Sequence, residues 1–252
     1  MRWPALLFLG IASYLFFLLS NLPAPQVVGW LGLNEQAQGV MLEGADGTVW
    51  SGDAKRLSYR RKPLGQINWS FLPSRLLLGK LAFEIELEDR GQQLQGRLIV
   101  GLSESLRLEG VEALLLASEL PEWLQQRQVG IDGKVRLQEF DLTLTQGRLT
   151  AADGKVQWLD GALQSPLNLA LGDLQADLAT DDESGDITAQ IKDLKGSIRI
   201  EAEARLKPDG NFQLDGRLKP GDKANPGLTG ALQAIGRKQP DGTILLKYAG
   251  KI

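Results

Sequence analysis

Ser51 and Lys55 are the nearest this chain comes to a nucleophile with a base. A Ser–Lys pair can stand in for a His-containing triad, but on a strand period these two form no recognised dyad. The 252 residues include no Cys and no His. That removes thiolate nucleophiles, imidazole bases, disulfides and His- or Cys-ligated metals. Phosphate-loop and G-x-S-x-G patterns are missing, and "GLSES" at Gly101–Ser105 fails at its last position. Asp181, Asp182, Glu183 and Asp186 bracket Ser184-Gly185 and offer oxygens to a hard cation. They lack the ligand spacing and closing Glu of an EF-hand loop, so an exposed acidic hairpin turn is the simpler reading. No catalytic residue, metal site or cofactor is assigned, and the expectation is a protein that is not an enzyme.

Charge narrows the partners. The formal net charge is -3, and a polyanion partner would need a net basic surface, so nucleic acid is excluded. One basic run stands out: Lys55, Arg56, Arg60, Arg61 and Lys62. It reads as a charged edge strand, with anionic lipid headgroups or an acidic partner as the alternative contact.

The N-terminus carries the strongest signal. After Arg2 the next charged residue is Glu35. The stretch Trp3–Leu22 is about 20 residues, or about 30 Å as a helix, the thickness of a hydrocarbon core. Trp3, Leu6, Leu7, Phe8, Leu9, Ile11, Leu15, Phe16, Phe17, Leu18 and Leu19 supply its apolar surface. Pro4 suits a first helical turn, and Asn21, Pro23 and Pro25 supply a stop. Cleavage as a signal peptide after Ala24 would leave Leu22 and Pro25 at unfavourable positions. The expectation is a single transmembrane anchor. Positive charge precedes the span, and none follows it for about thirty residues, which puts the N-terminus in the cytoplasm. Residues 1–24 are thus the cytoplasmic tip and anchor, and inner-membrane lipid is the first expected partner. Pro25–Leu33 reads either as an interfacial segment around Trp30 or as the start of the folded domain.

Residues 25–252 read as one β-rich domain. Leu81, Phe83, Ile85 and Leu87 alternate with Ala82, Glu84, Glu86 and Glu88; Ile198, Ile200, Ala202 and Ala204 repeat the pattern. This period of two marks strands with one buried face. A phase change after Leu137 predicts a bulge near Gln138–Glu139. Turn signals at Asp46-Gly47, Arg90-Gly91, Asp153-Gly154, Ser184-Gly185, Asp209-Gly210 and Asp241-Gly242 separate roughly twelve to fifteen strands. The fold class is mainly β: an N-terminal transmembrane helix, then a large, curled antiparallel β-meander with little helix. Val111–Gln126 and Asn225–Ile235 are the helix candidates, the first of them equally readable as a strand before Pro121. A weak midpoint near 123–128 hints at two similar halves. Whether the apolar face closes as a core or lines a lipid groove is not decided by periodicity. Trp69 reads as core.

"DGTVWSG" at Asp46–Gly52 and "DGKVQWLDG" from Asp153 pose one question twice. Asp46-Gly47 reads as a tight turn, with Thr48, Val49 and Trp50 beginning the return strand, and Gly52 marking a bulge or close backbone approach. The second copy repeats the turn at Gly154, with Trp158 one residue later. Both read as scaffold.

The chain resembles the type II secretion system protein N family, also described as the general secretion pathway protein N family. The pieces that carry the resemblance are "LPAP" after the anchor, "GTVWSG" (Gly47, Thr48, Val49, Trp50, Ser51, Gly52), "INWSFLPSRLLLGKL" around Trp69, "GKVRL", "GKVQW" (Gly154 to Trp158), and the C-terminal "RIEAEARLKPDGNFQLDGRLKP" and "LTGALQAIGRKQPDGTILLKYAGKI". Their order spans almost the whole chain. The resemblance implies a single-pass protein of a Gram-negative inner membrane with a periplasmic domain. It implies a part in exporting folded proteins across the outer membrane, with other type II secretion proteins as partners and the secreted substrates as a further class. It carries over no catalytic residue. The one-anchor β plan is also similar to AsmA-type envelope proteins, which implies an alternative: binding or transferring lipid along an apolar β groove.

Overall fold

The computed structural model describes residues 3–33, 39–101, 105–120, 130–165, 169–196, 198–221, 230 and 236–251. They fall into two compact units, Met1–Arg90 and Gly91–Ile252. The suggested midpoint at 123–128 lies outside the described residues, as does all of Asn225–Ile235 except Gly230.

The first unit opens with helix α1 (Trp3–Ser20) and helix α2 (Ala24–Trp30). Four strands follow: β1 (Val40–Gly47), β2 (Ser51–Tyr59), β3 (Lys62–Phe71) and β4 (Leu81–Asp89), with a 3-10 turn at Pro73–Leu78 before β4. Each strand pairs antiparallel with the next. The helix stops where Asn21 intervenes: its side-chain Nδ2 donates to the carbonyl of Phe17 at 2.9 Å. Pro23 then lacks the N–H that a continuing helix requires. The 18 residues of α1 make about 27 Å of helix, shorter than the expected Trp3–Leu22 span. Among the described residues, no helix is long and apolar enough to cross a membrane.

Pro25–Leu33 opens with α2, whose Val28 is buried while Trp30 and Leu31 stay 74% and 58% exposed: one side packs onto the folded unit and the other is open. Pro23 bridges Thr48, and Leu42 N–H donates to the carbonyl of Leu33. The α2 segment thereby runs back along β1 and shields its outer edge, a standard protection against stray strand pairing.

The second unit holds β5 (Gln92–Val100), β6 (Ser105–Leu116), β7 (Gly130–Thr145), β8 (Arg148–Ser165), β9 (Leu169–Thr180), β10 (Ile187–Lys195), β11 (Ile198–Leu206), β12 (Asn211–Pro220), β13 (Arg237–Lys238) and β14 (Ile244–Lys251). They pair antiparallel in chain order until the end, where β14 inserts between β12 and β13. Of the helix candidate Val111–Gln126, Val111–Leu116 finishes β6 and Ala117–Glu119 form a 3-10 turn; its residues 121–126 lie outside the described residues. β-branched Val111 opposite Phe140 makes a better sheet pair than a helical turn. The bulge stands where the phase change put it. The β7–β8 register slips between Gln138 and Asp141, and Glu139 takes a φ of 47°.

The core of this unit forms on the face the alternation marks. Leu169, Leu171, Ile198, Ile200, Leu218 and Ile244 form one buried cluster, with Trp158, Leu163 and Ile191 packed against it. The cross-strand partners Ile200, Leu218 and Ile244 lie side by side across β11, β12 and β14. The opposite face carries charge. Lys192 meets Asp177 at 3.3 Å and Lys247 meets Asp215 at 3.5 Å, each pair across neighbouring strands.

Candidate anchoring site

The motif "DGTVWSG" is a joint, not a hairpin followed at once by a strand. Asp46 pairs with Asp53 and Gly47 with Gly52, so Thr48–Trp50 form the loop and β2 begins at Ser51 rather than Thr48. Gly47 has a φ of 84°, and a Cβ there would lie 2.6 Å from the carbonyl oxygen of Ser51. Only glycine turns the chain this tightly. Thr48 Oγ1 accepts from the Ser51 N–H at 3.1 Å and closes the loop.

The loop receives the end of α1. The last carbonyls of any helix lack intrahelical donors. Here the indole Nε1 of Trp50 donates to the carbonyl of Leu19 at 2.7 Å. The Val49 N–H donates to the carbonyl of Leu22 at 3.0 Å. Trp50 in turn packs on Phe71, ring centres 4.9 Å apart, and Phe71 on Phe83 at 5.5 Å. The chain of contacts runs from α1 through Trp50 into β3 and β4. Trp69 supports the loop from below: its Nε1 donates to the carbonyl of Thr48 at 3.2 Å. Its ring fills the space over Gly52, where a Cβ would meet Trp69 Cζ2 at 2.7 Å. Trp69 is half-buried, wall and brace together.

The residues expected to form an anchor sit together on α1. Trp3, Leu6, Leu7, Phe8, Leu9, Ile11, Leu15, Phe16, Phe17, Leu18 and Leu19 are all exposed, from 45% at Leu18 to 88% at Trp3. They cover every side of the helix. Among the described residues, nothing else in the chain covers this helix.

"DGKVQW" is a different structure. Asp153 and Gly154 lie inside the long strand β8, so no turn forms there. The turn before it is Gln146-Gly147, with φ of 51° and 73°, the left-handed pair of a type I′ hairpin. Gly154, φ 120°, sits against the β7 bulge, where a Cβ would lie 2.6 Å from the carbonyl oxygen of Glu139. Asp153 accepts from the Thr180 N–H at 2.7 Å. Asp-Gly marks a bulge as readily as a turn because both need a left-handed residue. Trp158 repeats the role of Trp69: its Nε1 donates to the carbonyl of Asp132 at 2.9 Å, and its ring lies over Gly161. The two motifs therefore share a device, Trp over a strand glycine, and not a turn.

The structure brings Gly47–Gly52 and Trp69 to α1, and leaves Gly154 and Trp158 in the second unit as scaffold. Sequence reasoning missed Phe71, which shares the strand face of Trp69 by the period of two, and missed the carbonyls of Leu19 and Leu22, which no side-chain pattern reveals. The basic run is also relocated. β2 is paired on both sides, so it is no edge strand; Arg60 and Arg61 form the β2–β3 turn, with φ of 48° and 69°.

The polar features elsewhere are structural. Asp181 accepts from the Ser184 N–H and Oγ at 2.7 and 2.9 Å. These bonds, the backbone one foremost, hold its carboxyl below the usual range. Among the described residues no group of three or more acidic side chains is placed to hold a metal ion.

The family model described as "Type II secretion system (T2SS), protein N" matches residues 38–247. The type II secretion system protein N of Aeromonas hydrophila is 27% identical over 248 residues, covering 97% of this chain and 96% of that protein. The Klebsiella pneumoniae protein of the same description is 29% identical over 247 residues, covering 95% and 92%, and that of Vibrio cholerae 28% over 232, covering 88% and 87%. No solved structure gives a significant match. The matched span takes in the joint at Gly47–Gly52 and the strands from β1 to β12 whole: the chain belongs to the type II secretion system protein N family.

Proposed function

We propose that the chain is a non-enzymatic inner-membrane component of the type II secretion system of a Gram-negative bacterium, serving the export of folded proteins across the outer membrane. The observation that carries this is the family match over residues 38–247. α1 and its flanks, from Trp3 to Leu22, act as a single anchor, with the N-terminus cytoplasmic and the β units periplasmic. The apolar, exposed girth of α1 supports that reading, because such a surface is stable only in an apolar solvent.

Other secretion proteins are the proposed partners, engaged by strand addition. β13 covers only Ile244 and Leu245 of β14. Among the described residues, the outer side of β14 from Leu246 to Lys251 has no strand beside it, whereas β1 is shielded by the α2 segment. The alternative of a lipid groove lined by residues such as Phe83, Ile85, Ile198 and Ile200 is not favoured. Ile198 and Ile200 are buried, 1% and 8% exposed, inside one packed cluster, so they offer no open apolar wall to an acyl chain. Deleting the coding region and measuring exoprotein in the medium tests the proposal. Normal secretion through an unaltered machine would sink it.

A further inference from the structure

We propose that the leucine turn at Pro73–Leu78 is a second membrane-contacting element, seated in an anionic bilayer surface beside the point where α1 emerges. This rests on the reading of α1 as an anchor. None of the turn's residues is buried. Leu76, Leu77 and Leu78 are 53%, 91% and 68% exposed, and Leu81 just after them is 43% exposed. They are not loose. Gly79, at a φ of 68°, closes the turn, with its N–H on the carbonyl of Leu76 at 2.9 Å. Lys80 N–H donates back to Arg75, and Leu72 N–H to Ala82. The backbone holds three adjacent leucines outward.

Topology says what they face. Ser51 pairs with Ser70 and Phe71 with Phe83. The β3–β4 connection and the Thr48–Trp50 loop therefore open from the same end of the first unit's sheet. α1 is clasped at that end, through Trp50 onto Phe71, and the leucine turn starts two residues after Phe71. The Arg60-Arg61 turn lies at the other end, about 27 Å along β2. A bilayer holding α1 thus meets the leucine turn and not the basic run. Arg75 and Lys80 flank the leucines, and apolar tips between basic residues suit the acyl boundary under anionic headgroups. With α1 as the anchor, a bilayer reaches this end of the sheet without any further partner.

The chain contains no cysteine, so single labels are clean. Full-length Leu77→Cys, Leu15→Cys and Tyr59→Cys, the last at the far end of the same unit's sheet, each carrying an environment-sensitive fluorophore, are reconstituted in phosphatidylethanolamine–phosphatidylglycerol vesicles with nitroxide-labelled lipid. The expected result is a blue shift and loss of emission at positions 15 and 77, and neither at 59. Quenching at 15 with position 77 behaving like 59 overturns the inference while leaving the anchor intact. No quenching at 15 overturns the anchor reading itself. A blue shift at 77 that grows with protein concentration in detergent, without lipid, identifies a second copy as the occupant and also overturns it.

Discussion

The indole Nε1 of Trp50 donates to the main-chain carbonyl of Leu19, 31 residues earlier, at 2.7 Å. A strand-loop side chain thereby caps a helix C-terminus that carries no basic residue in its last turn. The bond joins the most apolar element of the chain to its sheet and fixes the direction in which the helix leaves. A flexible tether would hold the helix without orienting it. The stretch "GTVWSG" is therefore best understood as a joint.

Trp50→Phe keeps the ring on Phe71 and removes the donor. The expected loss is about 1 kcal/mol for one net hydrogen bond, with faster protease cleavage around residues 20–26. Urea denaturation and limited proteolysis of the full chain in detergent check both. Unchanged cleavage would mean the clasp does not hold the helix end.

Gly52→Ala forces a Cβ against Trp69 and the Asp46 carbonyl, and Gly47→Ala adds one 2.6 Å from the Ser51 carbonyl at a φ of 84°. Each is expected to cost about 1–3 kcal/mol. Gly10→Ala inside α1, where no atom lies within 4 Å of the added carbon, is the control: it is expected not to destabilise, and to gain up to about 1 kcal/mol of helix propensity. Denaturation midpoints for the three variants decide the matter.

Ile198→Ala separates a core from a trough. Ile198 is 1% exposed within its cluster, so truncation should cost about 2–5 kcal/mol by transfer and cavity terms. A trough wall open to solvent would lose less than about 1 kcal/mol in the same urea titration.

Acid should loosen the β9–β10 turn. The folded carboxyl of Asp181 titrates below the ordinary aspartate range, chiefly through the backbone bond from Ser184. A depressed folded value gives stabilisation that is complete above the unfolded value. It disappears as pH falls through the folded one. Hydrogen exchange of the Ser184 amide should therefore show less protection, relative to intrinsic rates, at about pH 2.5 than at about pH 5. In Asp181→Asn, whose amide oxygen accepts the same bonds without titrating, that protection should be flat over the same range.

The sequence by itself determined the β class, the antiparallel meander, the bulge at Glu139 and the apolar N-terminal helix. Each follows from a local period: two for a strand with one wet face, or an unbroken apolar run for a helix. The core residues Ile198 and Ile200 were legible for the same reason. Only tertiary structure decided what Asp-Gly means at two places. A left-handed residue serves a loop at Gly47 and a bulge at Gly154, and the difference lies in which strand lies opposite. Trp50 was visible as a motif position, but its partner was not, because a backbone carbonyl has no sequence signature and becomes an acceptor only when the helix ends beside it. The exposed leucines of Pro73–Leu78 read in sequence as part of an apolar stretch. Their backbone turn, closed by Gly79, is what points them away from the core and toward the end of the sheet where α1 departs.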